Sequence, residues 1–222
     1  MSSYGFIKEL IEKEHTPTPA YVFDLDKMKE FVKKNLASGK LLRKIVDFFH
    51  FMYLAFANHI VSNVPFYFIR TFIYRYGYFM KIGKNSHIQM GLRVYAPWKI
   101  KIGNNCAIGN DCFLDGRRGI IIGNNVDIAS NVKILTLGHD LDDEWYKTVG
   151  KKVIIENNVS VFTAASILPG LTLAEGSVVA LGSILTKNTD KWTVYAGNPA
   201  RPVKKRQISN LKYTSNYKRY FH

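Results

Sequence analysis

The sequence predicts a mainly β protein, a parallel β-helix of triangular coils preceded by an α-helical segment. Three observations predict it. A short string recurs at twenty-residue spacing, as Ile82-Gly83-Lys84-Asn85, Ile102-Gly103-Asn104-Asn105 and Ile122-Gly123-Asn124-Asn125, then returns after a break as Ile155-Glu156-Asn157-Asn158 and Leu173-Ala174-Glu175-Gly176. Within each period aliphatic residues fall six apart: Ile102, Ile108, Leu114; Ile122, Ile128, Ile134; and Ile155, Val161, Ile167, Leu173, Val179, Leu185. The positions between them are rich in Gly, Asn, Ser and Ala. A helix would repeat near 3.6 and a half-buried strand at 2. A period of six with small residues between implies short strands joined by tight turns. Three such strands make a coil, and each coil buries the apolar face of the next.

The chain divides into residues 1–80, 81–206 and 207–222. Residues 1–80 lack the repeat and read as helices near Tyr4–Glu14, Asp24–Leu36 and Lys40–Val61. A fourth helix is expected with Asn63 as cap and Pro65 in first position, ending at Gly77. Ile45–Val61 is apolar nearly all round. It carries Asp47, His50, Asn58 and His59, and its uncharged stretch falls short of the roughly 20 residues a membrane span needs. It reads better as a buried helix, or as one on a subunit interface or bilayer surface. The fourth helix mixes aromatics with Arg70 and Arg75, as membrane-surface helices do. The preferred alternative is that it covers the open end of the β-helix, whose strand edges need partners. Peripheral membrane association through residues 40–80 is kept as an expectation.

Residues 81–206 form the β-helix. The twenty-residue periods read as an eighteen-residue coil plus a two-residue bulge at one corner. The bulges in Val94–Lys101 and Leu114–Ile121 are equivalent, so they should stack. After Ile134 the run LTLGHDLDDEWYKTVGKK leaves the repeat and rejoins it near Val153–Ile155. An excursion of this kind from a regular solenoid is a candidate functional loop. Residues 207–222 form a basic tail.

Residues 82–206 resemble the hexapeptide-repeat acyltransferases, whose coils wind left-handed; the hand comes from that resemblance. It implies an acetyl-CoA-dependent acetyltransferase with His139, in Gly138-His139-Asp140, as general base. An imidazole near its working pKa takes a proton from an acceptor hydroxyl and returns it to the departing thiolate. Family members carry acidic or amide residues at the place of Asp115, which bind acceptor hydroxyls or orient the histidine. Trp145 in the excursion is a candidate platform for a sugar face.

By the same resemblance, the pantetheine arm of acetyl-CoA runs between subunits past Thr163, Leu181 and Ser183. Thr186, Lys187, Arg201 and Lys204 approach the adenosine and phosphates, where a charged tail needs cations. Phe162, Ala174, Ser160 and Leu181 depart from the family pattern, and Leu181 narrows the expected channel. The family branch that Leu114-Asp115-Gly116-Arg117 and Gly138-His139-Asp140 most resemble acts on polysaccharides. A saccharide hydroxyl in capsule, exopolysaccharide or lipopolysaccharide biosynthesis is therefore the expected acceptor. Acetylation of an antibiotic, a free sugar or an amino sugar is the alternative. A homotrimer is implied.

The net charge of +14 over 222 residues favours anionic partners. No nucleic-acid motif accompanies the dispersed lysines, so no nucleic-acid partner is expected. A zinc hydratase on this fold needs three histidines, and the repeat region holds only His87 and His139. No metal is expected. Cys106 and Cys112 have no metal-ligand spacing and read as small core residues. No apolar signal core opens the chain, so the cytoplasm, at the inner face of the membrane if residues 40–80 bind it, is the expected compartment.

Overall fold

The computed structural model describes residues 30, 40–208 and 211–215. The helices expected at 4–14 and 24–36 lie outside the described residues, save for Glu30, as does part of the 207–222 tail.

The repeat builds a three-sided parallel solenoid. Face A stacks Lys81–Ile82, Ile100–Ile102, Ile120–Ile122, Val153–Ile155 and Thr172–Leu173. Face B stacks His87–Ile88, Ala107–Ile108, Asp127–Ile128, Ser160–Val161 and Val178–Val179, and is extended by the antiparallel hairpin Thr193–Gly197 and Ala200–Lys205. Face C stacks Arg93–Tyr95, Phe113–Asp115, Lys133–Ile134, Ser166–Ile167 and Ile184–Leu185. The period of six is the length of one side. Ile102 pairs in register with Ile122, Ile108 with Ile128 and Leu114 with Ile134, so each aliphatic sits above its counterpart. These side chains are buried and form one continuous core. Each contributes about 2 kcal/mol through burial alone.

The corner from face A to face B repeats in every coil. Asn85, Asn105, Asn125 and Asn158 take positive φ there, a conformation Asn tolerates better than most residues. The preceding asparagines form a ladder. The Asn104 side-chain oxygen accepts from Lys84 N–H, Asn124 from Asn104 N–H and Asn157 from Asn124 N–H, each at 2.7 Å. Gly103 is required because a Cβ there would lie 2.3 Å from the Gly123 carbonyl oxygen. Cys106 and Cys112 are free, fully buried thiols at the A-to-B and B-to-C corners.

The corner from face C back to face A is where coils differ. Pro97–Lys99 and Gly116–Arg118 form short 3-10 turns, and the expected bulges stack: a Cβ on Gly116 would meet the Ala96 carbonyl oxygen at 2.6 Å. One coil further on, the same corner opens into the excursion between Ile134 and Val153. Within it, Gly138–His139 pairs antiparallel with Thr148–Val149.

The open end is closed by helices. Helix α1 spans Lys40–His59 and α2 spans Tyr67–Phe72, the latter running into a π-turn at Ile73–Gly77. Each face of the first coil receives a polar side chain where a preceding coil would sit. On face A, Arg75 donates to the Ile82 carbonyl at 2.9 Å. On face B, Arg70 donates to the Ile88 carbonyl at 2.9 Å. On face C, Asn58 donates to the Val94 carbonyl and accepts from its N–H, at 3.1 and 2.7 Å. Arg70 also donates to the Val64 carbonyl. Its side chain is fully buried, and desolvation pulls its pKa down to about 10.

Arg70 and Arg75 cap strand edges of the first coil. One detail corrects the sequence reading. Asn63 does not cap α2, whose cap position is Phe66; its side chain donates to the His59 carbonyl at 2.9 Å and so closes α1.

Candidate active site at the extruded loop

His139 sits on the first strand of the excursion, at the mouth of the loop, with its side chain exposed. Its Nδ1 lies 2.8 Å from the carbonyl oxygen of Tyr146, and its ring stacks on the Tyr146 ring at 4.1 Å and 9°. A carbonyl only accepts, so a neutral imidazole in this contact carries its proton on Nδ1. Nε2 then holds the lone pair, the form a general base requires. Tyr146 reaches this position through a positive φ of 50°. A turn in which Tyr146 N–H donates to the Asp143 carbonyl precedes it. The sequence reading placed Tyr146 in the loop without a role; nothing in local spacing signals that its carbonyl meets a side chain seven residues back.

Asp115 lies one coil below and is fully buried. Arg117 grips it with Nε at 2.8 Å and Nη2 at 3.0 Å, and Thr136 N–H donates to it at 3.4 Å. The Thr136 hydroxyl donates to the Asp115 carbonyl at 2.7 Å and accepts from Arg118 N–H at 3.0 Å. The hydrogen bond to Asp115 is the main influence raising the pKa of Arg117, whose guanidinium also lies 5.2 Å from the centre of the Tyr95 ring. Asp115 was expected to meet the acceptor or orient His139; the contacts of its carboxylate in this chain are with Arg117 and Thr136. The Tyr146 carbonyl orients the histidine. Asp115 fixes the point where the loop departs, three residues before His139. Thr136, Arg117 and Arg118 are the members of this cluster that sequence reasoning left out.

A groove beside the loop is lined by Arg118, Gly138, Thr148, Val149, Lys151 and Pro169. Trp145 is 83% exposed; its indole N–H donates to the Glu144 carboxylate at 2.8 Å, which leaves the ring faces open.

The expected donor residues fall at three places: the corner from face B to face C, the end of the last face C strand, and the terminal hairpin. Thr163 and Leu181 lie at the corner from face B to face C, across one side of the prism from His139. Six residues at about 3 Å each make that side roughly 15–20 Å wide. Thr163 lines a groove with Gln89, Asp127, Ser130 and Ser215, and Leu181 is 70% exposed. Burial raises the pKa of Asp127. Ser183 is buried, and its hydroxyl accepts from Gly197 N–H at 3.1 Å. Its own N–H donates to the Ala180 carbonyl and its carbonyl accepts from Ser166 N–H, so its backbone is engaged in the corner. Thr186 and Lys187 follow the last strand of face C. Arg201 and Lys204 stand exposed on the hairpin, where Lys204, Lys205, Arg206 and Lys212 line a basic groove. The described residues of one chain thus place Thr163 and Leu181 on a different corner from His139, while Thr186 and Lys187 follow face C as His139 does, further along the stack. They include no cluster of three or more metal-ligating side chains.

Comparisons with known proteins agree with this architecture. Residues 99–135 match the family model described as the hexapeptide repeat of succinyl-transferase. The chain is 34% identical over 133 residues to the Saccharomyces cerevisiae protein named "Putative acetyltransferase YJL218W", covering 55% of this chain and 67% of that protein. It is 29% identical over 126 residues to the Escherichia coli protein named "Putative colanic acid biosynthesis acetyltransferase WcaF", covering 57% of this chain and 69% of that one. The matched parts span between 43% and 69% of the length of the first such relatives. Among solved structures, a maltose O-acetyltransferase from Clostridium difficile 630 superposes with a TM-score of 0.61 at 27% identity, covering 83% of this chain and 89% of its own. Coil, excursion and matched relatives agree: this chain belongs to the hexapeptide-repeat acetyltransferase family.

Proposed function

We propose that the protein is an acetyl-CoA-dependent O-acetyltransferase acting on a saccharide hydroxyl, with His139 as the general base. One observation carries the mechanism: the Tyr146 carbonyl holds Nδ1 of His139 at 2.8 Å, leaving Nε2 free on an exposed face. The acceptor hydroxyl gives its proton to Nε2 as its oxygen bonds to the thioester carbonyl carbon. The carbon–sulfur bond then breaks, and the imidazolium returns the proton to the leaving thiolate, so the base ends as it began. Asp115, Arg117 and Thr136 anchor the loop that carries this imidazole. Trp145 offers a flat apolar surface for a sugar ring.

The acceptor class rests on the printed names of the relatives, a colanic acid biosynthesis acetyltransferase and a maltose O-acetyltransferase. Acetyl-CoA fits the basic surface. Its phosphates suit Lys187, Arg201 and Lys204 together with Lys205, Arg206 and Lys212, and its pantetheine arm suits the edge at Thr163 and Leu181. The base and that edge lie on different corners of the prism, so a complete site needs a second copy to bring them together. That need supports an oligomer, and the homotrimer implied by the family resemblance is the form proposed.

The test is CoA release from acetyl-CoA with glycan acceptors, followed by a thiol-reactive dye. His139→Ala should lower kcat by about 10²- to 10⁴-fold, the range for removing a general base, while its melting temperature stays within a few degrees of the parent. Unchanged turnover in that variant excludes the mechanism.

A further inference from the structure

The helical cap does more than close the β-helix. One face of α1 is spent on the first coil: Leu54 and Ala57 are buried, and Asn58 is clamped to Val94. Elsewhere α1 and α2 expose many aromatic side chains. Phe48, Phe49, Phe51, Phe56, Phe68 and Phe72 are each between 53% and 64% exposed. At roughly 200 Å² per ring, these six together expose about 700 Å² of apolar surface, a large amount for one end of a domain. The surrounding charge is predominantly positive. Residues 40–84 contain seven Lys or Arg and a single carboxylate, Asp47. Two of the seven are used by the cap, whereas Arg43, Lys44, Lys81 and Lys84 are exposed.

We propose that α1 and α2 dock this protein onto the surface of an anionic lipid bilayer, with the phenylalanines in the acyl boundary and the cations against the headgroups. Aromatic side chains on one side and Lys or Arg around them are what such an interface takes. A second copy of the chain would bring the same positive rim against itself, which disfavours it as the occupant. Leu42–Asn63 is long and apolar enough to cross a membrane. Spanning would pull Asn58 off Val94 and uncover the core end that Leu54 and Ala57 seal, so the helix lies along the surface. The inference is independent of the catalytic reading, because it uses no residue of the loop or the donor edge.

Flotation of the full chain with vesicles tests it. Phosphatidylcholine vesicles are compared with vesicles containing about one part phosphatidylglycerol to three parts phosphatidylcholine. Binding to the anionic vesicles should be at least about 10-fold stronger and should weaken as salt rises. Phe48→Ser combined with Phe49→Ser should reduce it by about 10-fold. Arg43→Glu combined with Lys44→Glu should do the same with the core untouched, so a misfolded aromatic variant does not leave the question open. Equal binding to both vesicle types, no flotation, or flotation indifferent to both variants overturns the proposal. So does loss of oligomer mass in the aromatic variant without vesicle binding by the parent, which would assign the face to a second copy. Retention of the parent on vesicles through an alkaline carbonate wash would show insertion instead and also overturns it.

Discussion

The corner from face A to face B and the corner from face C back to face A are made by the same chain at the same period, yet they serve opposite ends. At the first, every coil repeats the last: Asn104, Asn124 and Asn157 pass a hydrogen bond up the stack, and Gly103 leaves room for the carbonyl beneath it. At the second, successive coils carry a 3-10 turn, another 3-10 turn closed by an ion pair between a half-exposed Arg117 and a buried Asp115, and then an excursion bearing a histidine. A solenoid gains stability from repetition, because each coil is the template for its neighbour. Chemistry requires a group that occurs once. Confining variation to one corner allows both.

If this division holds, substitutions at the two corners should separate activity from stability. The largest effect is the loss of turnover in His139→Ala, with stability kept. Next comes a matched pair of glycines. Gly103→Ala places a Cβ 2.3 Å from a backbone oxygen that cannot move without disturbing the coil, and should cost about 3 kcal/mol or more. Gly138→Ala meets no heavy atom within 4 Å and should change stability by less than about 1 kcal/mol. Urea midpoints of the two variants decide this, and equal midpoints would dissolve the contrast. Asn124→Ala leaves the Asn104 amide without its acceptor and should cost about 1–3 kcal/mol while kcat stays at the parent value.

The smallest effect concerns the cysteines at the regular corners. Burial raises Cys106 from 9.0 to about 11 and Cys112 to about 12. The folded state therefore holds these protons more tightly than the unfolded chain. Their contribution to stability is complete below about pH 9 and is lost as pH rises through about 11. Iodoacetamide at pH 8 should label neither thiol in the native protein and both in urea. Rapid native labelling would place them outside the core.

Residues far apart in sequence mark the boundary of what could be read beforehand. The aliphatic period of six, the stacked bulges and the point where the chain leaves the repeat were all legible, because a repeat states the same local rule many times. The cap was legible only in outline. Asn58 and Val94 are 36 residues apart, and Arg70 and Ile88 are 18 apart. Each contact occurs once, so no periodicity announces it. The aromatics and arginines of α2 looked like one surface in sequence; folding sends the arginines inward to the strand edges and the phenylalanines outward.

His139 was legible as a candidate residue, but the orientation of its ring was not. Its place at the start of the excursion marked it, but the carbonyl that selects its tautomer depends on how the loop turns at Tyr146. Asp115 was visible as an acidic neighbour one coil away, but its burial against Arg117 and Thr136 was not. The sequence by itself determined the solenoid, its length and the place of its single large interruption, since close packing of stacked coils tolerates only one pattern of large and small side chains. Only the tertiary structure decided which polar groups point inward, because an isolated buried hydrogen bond follows from the meeting of two distant segments and leaves no repeat in either.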